Sequence, residues 1–287
     1  STPSFKAHLA KFQYGSPSPS TNPSSPTSAR LSRTMKRSIS STDITTTSTT
    51  TPTRNPRPSK KKRKPSSKYA PPSLYSHLTP LTDILAPDLI CICVGTNPGV
   101  QTATAGHAYA HPSNHFWKLL HASGMTPDRR LRPEEDRTLP ARYGIGNTNI
   151  VDRPSRDAGE LSREEMVEGA GVLDEKVGVW RPEAVLIVGK GIWEAVWRWR
   201  VGRGMRRGEF RYGWQDVRFN MGRGKVEGGG EEEVGGDGKG WDGARVYVTT
   251  STSGLAANLK PAEKEAIWKP FGDWVQQRRA DRGFKPR

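Results

Sequence analysis

With 287 residues, a mean hydropathy of −0.73 and 33% hydrophobic residues, the chain cannot place all of its length in a packed core. No run of about 18 apolar residues is present, which excludes a membrane-spanning helix by hydropathy. The net charge of +16 is concentrated at one end: residues 1–74 carry fourteen Lys or Arg against one acid, Asp43, so +13 lies there and +3 on the rest.

Ser, Thr and Pro dominate residues 1–74, and apolar periodicity is almost absent. Such a segment buries too little surface to offset chain entropy, and it is expected to be a disordered basic arm. Two readings of the arm stand: it attracts polyanions by releasing their counterions, or it only keeps the chain soluble. Lys60, Lys61, Lys62, Arg63 and Lys64, followed by Pro65, have the composition of a nuclear localisation signal. A mitochondrial transit peptide competes, but residues 1–25 show no clear amphipathic helix, so the nucleus is the expected compartment.

A folded domain is expected over residues 75–283, with 284–287 as a tail. Leu89 to Val94 is a near-continuous apolar run, suited to a strand buried on both faces of a parallel sheet. Cys91 and Cys93, two apart within it, point to one face; without a third Cys or a placed His they make a poor metal site, and they read as packing residues in a reducing setting. Gly95-Thr96-Asn97-Pro98-Gly99 follows. Asn-Pro and Pro-Gly are turn dipeptides, and the motif sets an amide where a strand ends.

Residues 100–113 read as a loop, Asn114 to Ala122 as a helix closed by Gly124, and Tyr143 to Val151 as either a short strand or an irregular connection. Ser162 and Glu165 form a capping box, and Met166, Ala170, Leu173, Val177 and Trp180 continue it as an amphipathic helix. Ala184 to Val188 is a second buried strand, and Gly189 opens a helix through Ile192, Val196 and Trp199. Further strands are expected at Arg211 to Phe219 and Arg245 to Thr250. Between them, residues 222–243 are rich in Gly and Glu and read as a flexible, removable insertion. A last helix begins near Ala262, with a kink or interruption at Pro270.

Strands alternating with helices predict an α/β fold, a three-layer α/β/α sandwich around a mainly parallel sheet. Sites in such folds gather at the carboxyl ends of strands, where residues 95–99 and 251–255 both fall.

The segment Gly106 to Lys118 reads GHAYAHPSNHFWK. Together with residues 95–99, Tyr143 to Asn149, Val151 to Pro154, Gly189-Lys190 and Ser253-Gly254-Leu255, it resembles the mismatch-specific uracil and thymine DNA glycosylases, a branch of the uracil-DNA glycosylase superfamily. The likeness spans about residues 89–276. It implies a monomeric, monofunctional glycosylase without metal or cofactor. Such an enzyme hydrolyses the N-glycosidic bond of uracil opposite guanine in double-stranded DNA, initiating base excision repair, with thymine and damaged pyrimidines as further candidate substrates.

The resemblance makes Asn97 the catalytic residue. An amide is neutral at any relevant pH and is no strong base, but its carbonyl oxygen can orient a water toward the anomeric carbon as the bond to the base lengthens into an oxocarbenium-like state. The resemblance also sets Tyr109 over the flipped base, places Thr102 and Asn114 in the base pocket, and makes backbone groups of Thr96, Pro98, Gly99 and Tyr109 base contacts. Ser251, Thr252, Ser253, Gly254, Leu255 and Ala256 correspond to a loop that grips the DNA backbone and inserts Leu255 into the gap left by the base. Read without the resemblance, that loop is a strand-to-helix connection with a Leu dipping into the core.

Three positions depart from the family pattern: Thr96 replaces an apolar residue, Thr252 a Pro, and Ala257 an Arg of bacterial relatives. Arg198, Arg200, Arg203, Arg206, Arg207 and Arg211 are either compensating DNA contacts or a solvated face. His107, His111 and His115 lack the carboxylate or Cys partner of a metal site. No Lys is required as a Schiff-base nucleophile, so strand cleavage is not expected. The reading from another class is a non-catalytic DNA-binding or chromatin-associated adaptor that keeps the fold.

Overall fold

The computed structural model describes residues 68–224 and 241–285. Strands β1 (Cys91–Gly95), β2 (Ile145–Asn149), β3 (Ala184–Val188), β4 (Gly213–Trp214) and β5 (Arg245–Thr249) form one sheet in the order β2-β1-β3-β5-β4. All pairings are parallel except that of β4, which joins the edge antiparallel to β5. The helices are α1 (Val100–Ala105), α2 (Phe116–Ala122), α3 (Leu139–Tyr143), α4 (Arg163–Trp180), α5 (Lys190–Val201) and α6 (Pro261–Asp281).

Alternation along the strands divides the core into two layers. Ile92, Val94, Val185, Ile187, Val246 and Val248 meet Leu173 and Val177 of α4 and Trp193 and Val196 of α5. On the other face Cys91, Cys93, Ile145, Leu186 and Tyr247 meet Phe116 and Leu120 of α2 and Trp268, Phe271 and Val275 of α6. The fold is therefore a three-layer α/β/α sandwich. β1 and β3 are buried throughout because both of their faces are covered. Parallel pairing brings the carboxyl ends of β1, β2, β3 and β5 to one rim.

The capping box expected at the start of α4 is present: Ser162 Oγ accepts from Glu165 N at 3.1 Å, and Glu165 Oε2 accepts from Ser162 N at 2.7 Å. Several local expectations are corrected. Residues 100–105 are helical rather than loop, closed by Gly106 at φ 71°, whose N–H donates to Thr102 O at 2.9 Å; one and a half turns are too short to show a helical period. The helix expected from Asn114 begins at Phe116, with Asn114 Oδ1 accepting the Phe116 N–H at 3.0 Å.

The strand expected over residues 211–219 is reduced to Gly213–Trp214, followed by a 3-10 turn at Val217–Phe219 capped by Asp216. Pro270 does not interrupt α6. It and Ala266 both lie on the exposed side, where the carbonyl that loses its N–H partner meets water.

Residues 68–74, grouped with the arm on composition, belong to the described structure: Ala70 is buried, and its N–H donates to Glu160 O at 3.0 Å. The remainder of the arm, including Lys60 to Lys64, lies outside the described residues, as do 225–240 of the insertion and 286–287. The insertion is closed at its base by reciprocal hydrogen bonds between Met221 and Ala244, at 2.9 and 2.8 Å.

Candidate active site

The 95–99 motif is clamped rather than free. Gly95 O accepts from Ile150 N at 2.9 Å, Thr96 O from Val151 N at 2.9 Å and Pro98 O from Ser155 N at 3.1 Å, so the β1–β2 pairing continues past the strand ends. Asn97 rides on this extension. Its Nδ2 donates to Arg153 O at 3.0 Å and Ser155 Oγ at 2.8 Å. Ser155 Oγ spends its own proton on Asp157 O at 2.8 Å and so receives the Asn97 bond as an acceptor. A backbone carbonyl can only accept, which fixes which end of the amide faces it. Oδ1 takes none of these bonds and is the end left for a ligand or water.

Arg153 is held in turn. Its guanidinium meets Glu165 in a bidentate pair and donates to Ala70 O at 3.1 Å. The Arg153 hydrogen bond is the main influence holding the Glu165 carboxyl below the usual glutamate range. A chain of contacts thus runs from the start of α4 to the amide of Asn97.

Tyr109 adopts φ 54°, a left-handed conformation unusual for a tyrosine. Its surroundings are fixed: Ala108 N donates to Asp136 Oδ2 at 2.7 Å, Trp117 Nε1 donates to Ala108 O at 3.1 Å, and the Tyr109 ring stacks on Phe116 with centroids 3.8 Å apart. Burial, with a further contribution from Cys93, pushes the Tyr109 hydroxyl well above its ordinary pKa and keeps it protonated.

Residues 251–256 form successive small turns, with Ser251 Oγ accepting from Ser253 N and Ser253 Oγ from Leu255 N, both at 3.3 Å. Thr252 is buried, and its carbonyl accepts from His115 N at 2.8 Å. Gly254 lies so close to Ser113 that a Cβ there would come within 2.7 Å of its carbonyl oxygen. Leu255 does not dip into the core: it is 85% exposed.

These parts surround one cavity of about 660 Å³. Thr96, Asn97, Gly99, Thr102, Tyr109 and Asn114 line it, with Ser251 to Leu255. Pro98 and Ala256 are not in its wall; Ala256 instead faces an adjoining cavity of about 320 Å³ beside α6 and takes a 2.8 Å hydrogen bond from Lys264. The main wall is almost uncharged. Its one carboxylate, Asp157, is engaged by the backbone N–H of Gly159 at 2.8 Å, and Arg156 lies beside it. A neutral amide with a fixed acceptor end can aim a water but cannot remove its proton outright.

Residues 82–272 match the sequence profile of the Uracil DNA glycosylase superfamily. The chain belongs to that superfamily. It is also 36% identical over 200 residues to a G/U mismatch-specific uracil DNA glycosylase of Schizosaccharomyces pombe, over 67% of this chain and 54% of that protein. The chain therefore spans about half the length of that relative.

Within this superfamily member, the motifs at 95–99, 109–114 and 251–255 converge from separate loops on one rim. Three wall residues carried no signal as single letters: Ser155, which orients Asn97, and Asn147 and Asn149 at the end of β2. The motif Tyr143 to Asn149 pointed to their segment but not to their side chains. Of the arginine cluster, Arg200 is buried against Asp174 at 2.7 Å and is not free for DNA, while Arg203 pairs with Glu209 at 2.6 Å on the surface. His107 is paired with Asp136 at 3.1 Å and His111 with Ser113 at 2.8 Å. Among the described residues no group of three metal-ligating side chains comes together. Nothing in the structure explains the choice of Thr at position 96.

Proposed function

We propose that the chain is a monofunctional DNA glycosylase that releases uracil mispaired with guanine in double-stranded DNA. The observation that carries this reading is the fixed polarity of Asn97, a residue of the cavity wall whose Nδ2 is bound to Arg153 O and Ser155 Oγ, which leaves Oδ1 as the end open to a ligand. The name of the S. pombe relative supports the same substrate.

In the proposed reaction the flipped nucleotide enters the cavity beside the Tyr109 ring, and Leu255 fills the space it leaves. Asn97 Oδ1 accepts a hydrogen bond from a water and directs its oxygen at the anomeric carbon. The carbon–nitrogen bond breaks with its electron pair on the base, the water oxygen bonds to the carbon, and its proton passes to solvent. Because no carboxylate assists, the departing base must be stable as an anion, which favours uracil over thymine and makes damaged pyrimidines with electron-withdrawing groups further substrates. The reading places the enzyme at the start of base excision repair, as a monomer, and in the nucleus on the strength of Lys60 to Lys64.

The test is base release from duplexes containing G·U, G·T and A·U pairs. Release from G·U by the wild type, lost in Asn97→Ala while duplex binding persists, is the expected outcome. Uracil left in the G·U duplex by the wild type and by Asn97→Ala alike would leave the non-catalytic adaptor as the better account.

A further inference from the structure

The cavity of about 320 Å³ beside α6 joins the main one at the turn that carries Leu255. Gly254 lines both cavities, Leu255 lines the main one, and Ala256 and Ala257 line the second. The rest of the second wall comes from Lys118 of α2, Lys260 just before α6, and Lys264 in its first turns.

The two walls differ in charge. In the main cavity Arg156 stands beside Asp157 and offsets it. In the second, three lysines face one carboxylate, Glu265, which pairs with Lys118 at 3.2 Å. Lys260 and Lys264 have no acidic partner among the described residues. Lys264 is only 7% exposed, and its Nζ donates to Ala256 O at 2.8 Å. An ammonium group carries three N–H donors, so two are left over. Burying such a group without a counter-charge is costly, and an anion entering the cavity would supply both the charge and the acceptors.

The position of the cavity says which anion that is. In the proposed reaction the flipped nucleotide occupies the main cavity and Leu255, 85% exposed, fills its place in the duplex. The residues that follow Leu255 then face the strand that stays stacked, and the anion that strand presents is its phosphodiester.

We propose that the second cavity binds a phosphodiester of the strand opposite the flipped nucleotide, with Lys264 Nζ as the inner donor and Lys118 and Lys260 at the mouth. This rests on the glycosylase reading above and extends it to the complementary strand. Because Lys264 also holds Ala256 O, contact with that strand is tied to the turn that carries Leu255.

The experiment crosses residue with phosphate. Binding is measured on G·U duplexes in which a single methylphosphonate, an uncharged replacement for a phosphodiester, is placed in turn along either strand around the mismatch. Fluorine at C2′ of the uracil nucleotide destabilises the oxocarbenium-like state and keeps the base attached. Wild type, Lys264→Gln and Lys260→Gln are compared, with melting temperatures as the folding control. At one complementary-strand position the replacement should weaken wild-type binding about tenfold and Lys264→Gln binding no more than about twofold, the size of one charge-assisted contact. Lys264→Gln should also flatten the slope of log affinity against log salt by about 0.9. Penalties that are equal in wild type and variants at every complementary-strand position, or that occur on the lesion strand alone, overturn the proposal. Glutamine keeps a donor for Ala256 O, and Lys260→Gln, at an exposed position, carries the comparison if the buried variant does not fold. Absence of uracil release from an unfluorinated G·U duplex by wild type would sink the underlying glycosylase reading, a result distinct from failure of the cross.

Discussion

Asn97 acts through the end of its amide that is not bonded, so the residues holding the other end matter to its chemistry. Ser155→Ala removes one of its two close partners and leaves Arg153 O. Its expected effect is an about fivefold drop in the single-turnover rate, the cost of a lost hydrogen bond of about 1 kcal/mol, with duplex affinity unchanged. An equal loss of affinity would mean that Ser155 serves binding instead. Gly254 tests the opposite wall: an added methyl would come within 2.6 Å of the Ser113 hydroxyl and 2.7 Å of its carbonyl oxygen, meeting side chain and backbone together. Gly254→Ala should displace Leu255 and slow release from well-paired A·U more than from G·U, while the melting temperature stays within about 2 °C of wild type because the residue is exposed. Tyr109 keeps its positive φ between an Ala108 held by Asp136 and Trp117 and a ring stacked on Phe116.

Among the elements, α4 matters to the site through one ion pair. Glu165 of α4 grips Arg153, and the Arg153 carbonyl holds Asn97. The folded-state pKa of Glu165 is lowered, so the pair's stabilisation is present above the unfolded carboxyl value of about 4.3 and is lost as pH falls through the lower folded value. The melting-temperature gap between wild type and Glu165→Gln should therefore be open at neutral pH and close under acid; a gap that is constant with pH would deny the pair its role. In α6 the ring of Pro270 occupies a helix interior on the exposed side. Pro270→Ala restores the missing N–H and should stabilise the domain by about 1–3 kcal/mol, read by denaturant unfolding. Destabilisation would show that Pro270 serves a packing role its exposure does not suggest.

For the whole molecule, the prediction is that the insertion and the arm are dispensable to the fold. Met221 and Ala244 close the insertion at its base, so replacing residues 225–240 with a short turn should leave melting temperature and release rate unchanged. Residues 1–67 hold thirteen Lys or Arg and one Asp, a charge of +12. Their removal should flatten the salt dependence of duplex binding if the arm touches phosphates; an unaltered slope would make it a solubilising tail.

The sequence by itself determined the layers and the principal site segments. Continuous apolar runs at Leu89 to Val94 and Ala184 to Val188 can only be central parallel strands, and the capping box at Ser162 needs nothing beyond its own turn. The motifs at 95–99, 106–118 and 253–255 carried the family. Short elements were not legible, because α1 and β4 have too few residues to show a period. Only the tertiary structure decided which end of the Asn97 amide is available and that Leu255 points outward. Hydrogen-bond polarity and exposure depend on what the chain brings from a distance. Arg153 and Ser155 lie 56 and 58 residues from Asn97, and their closeness follows from the pairing of β1 with β2, not from any local pattern.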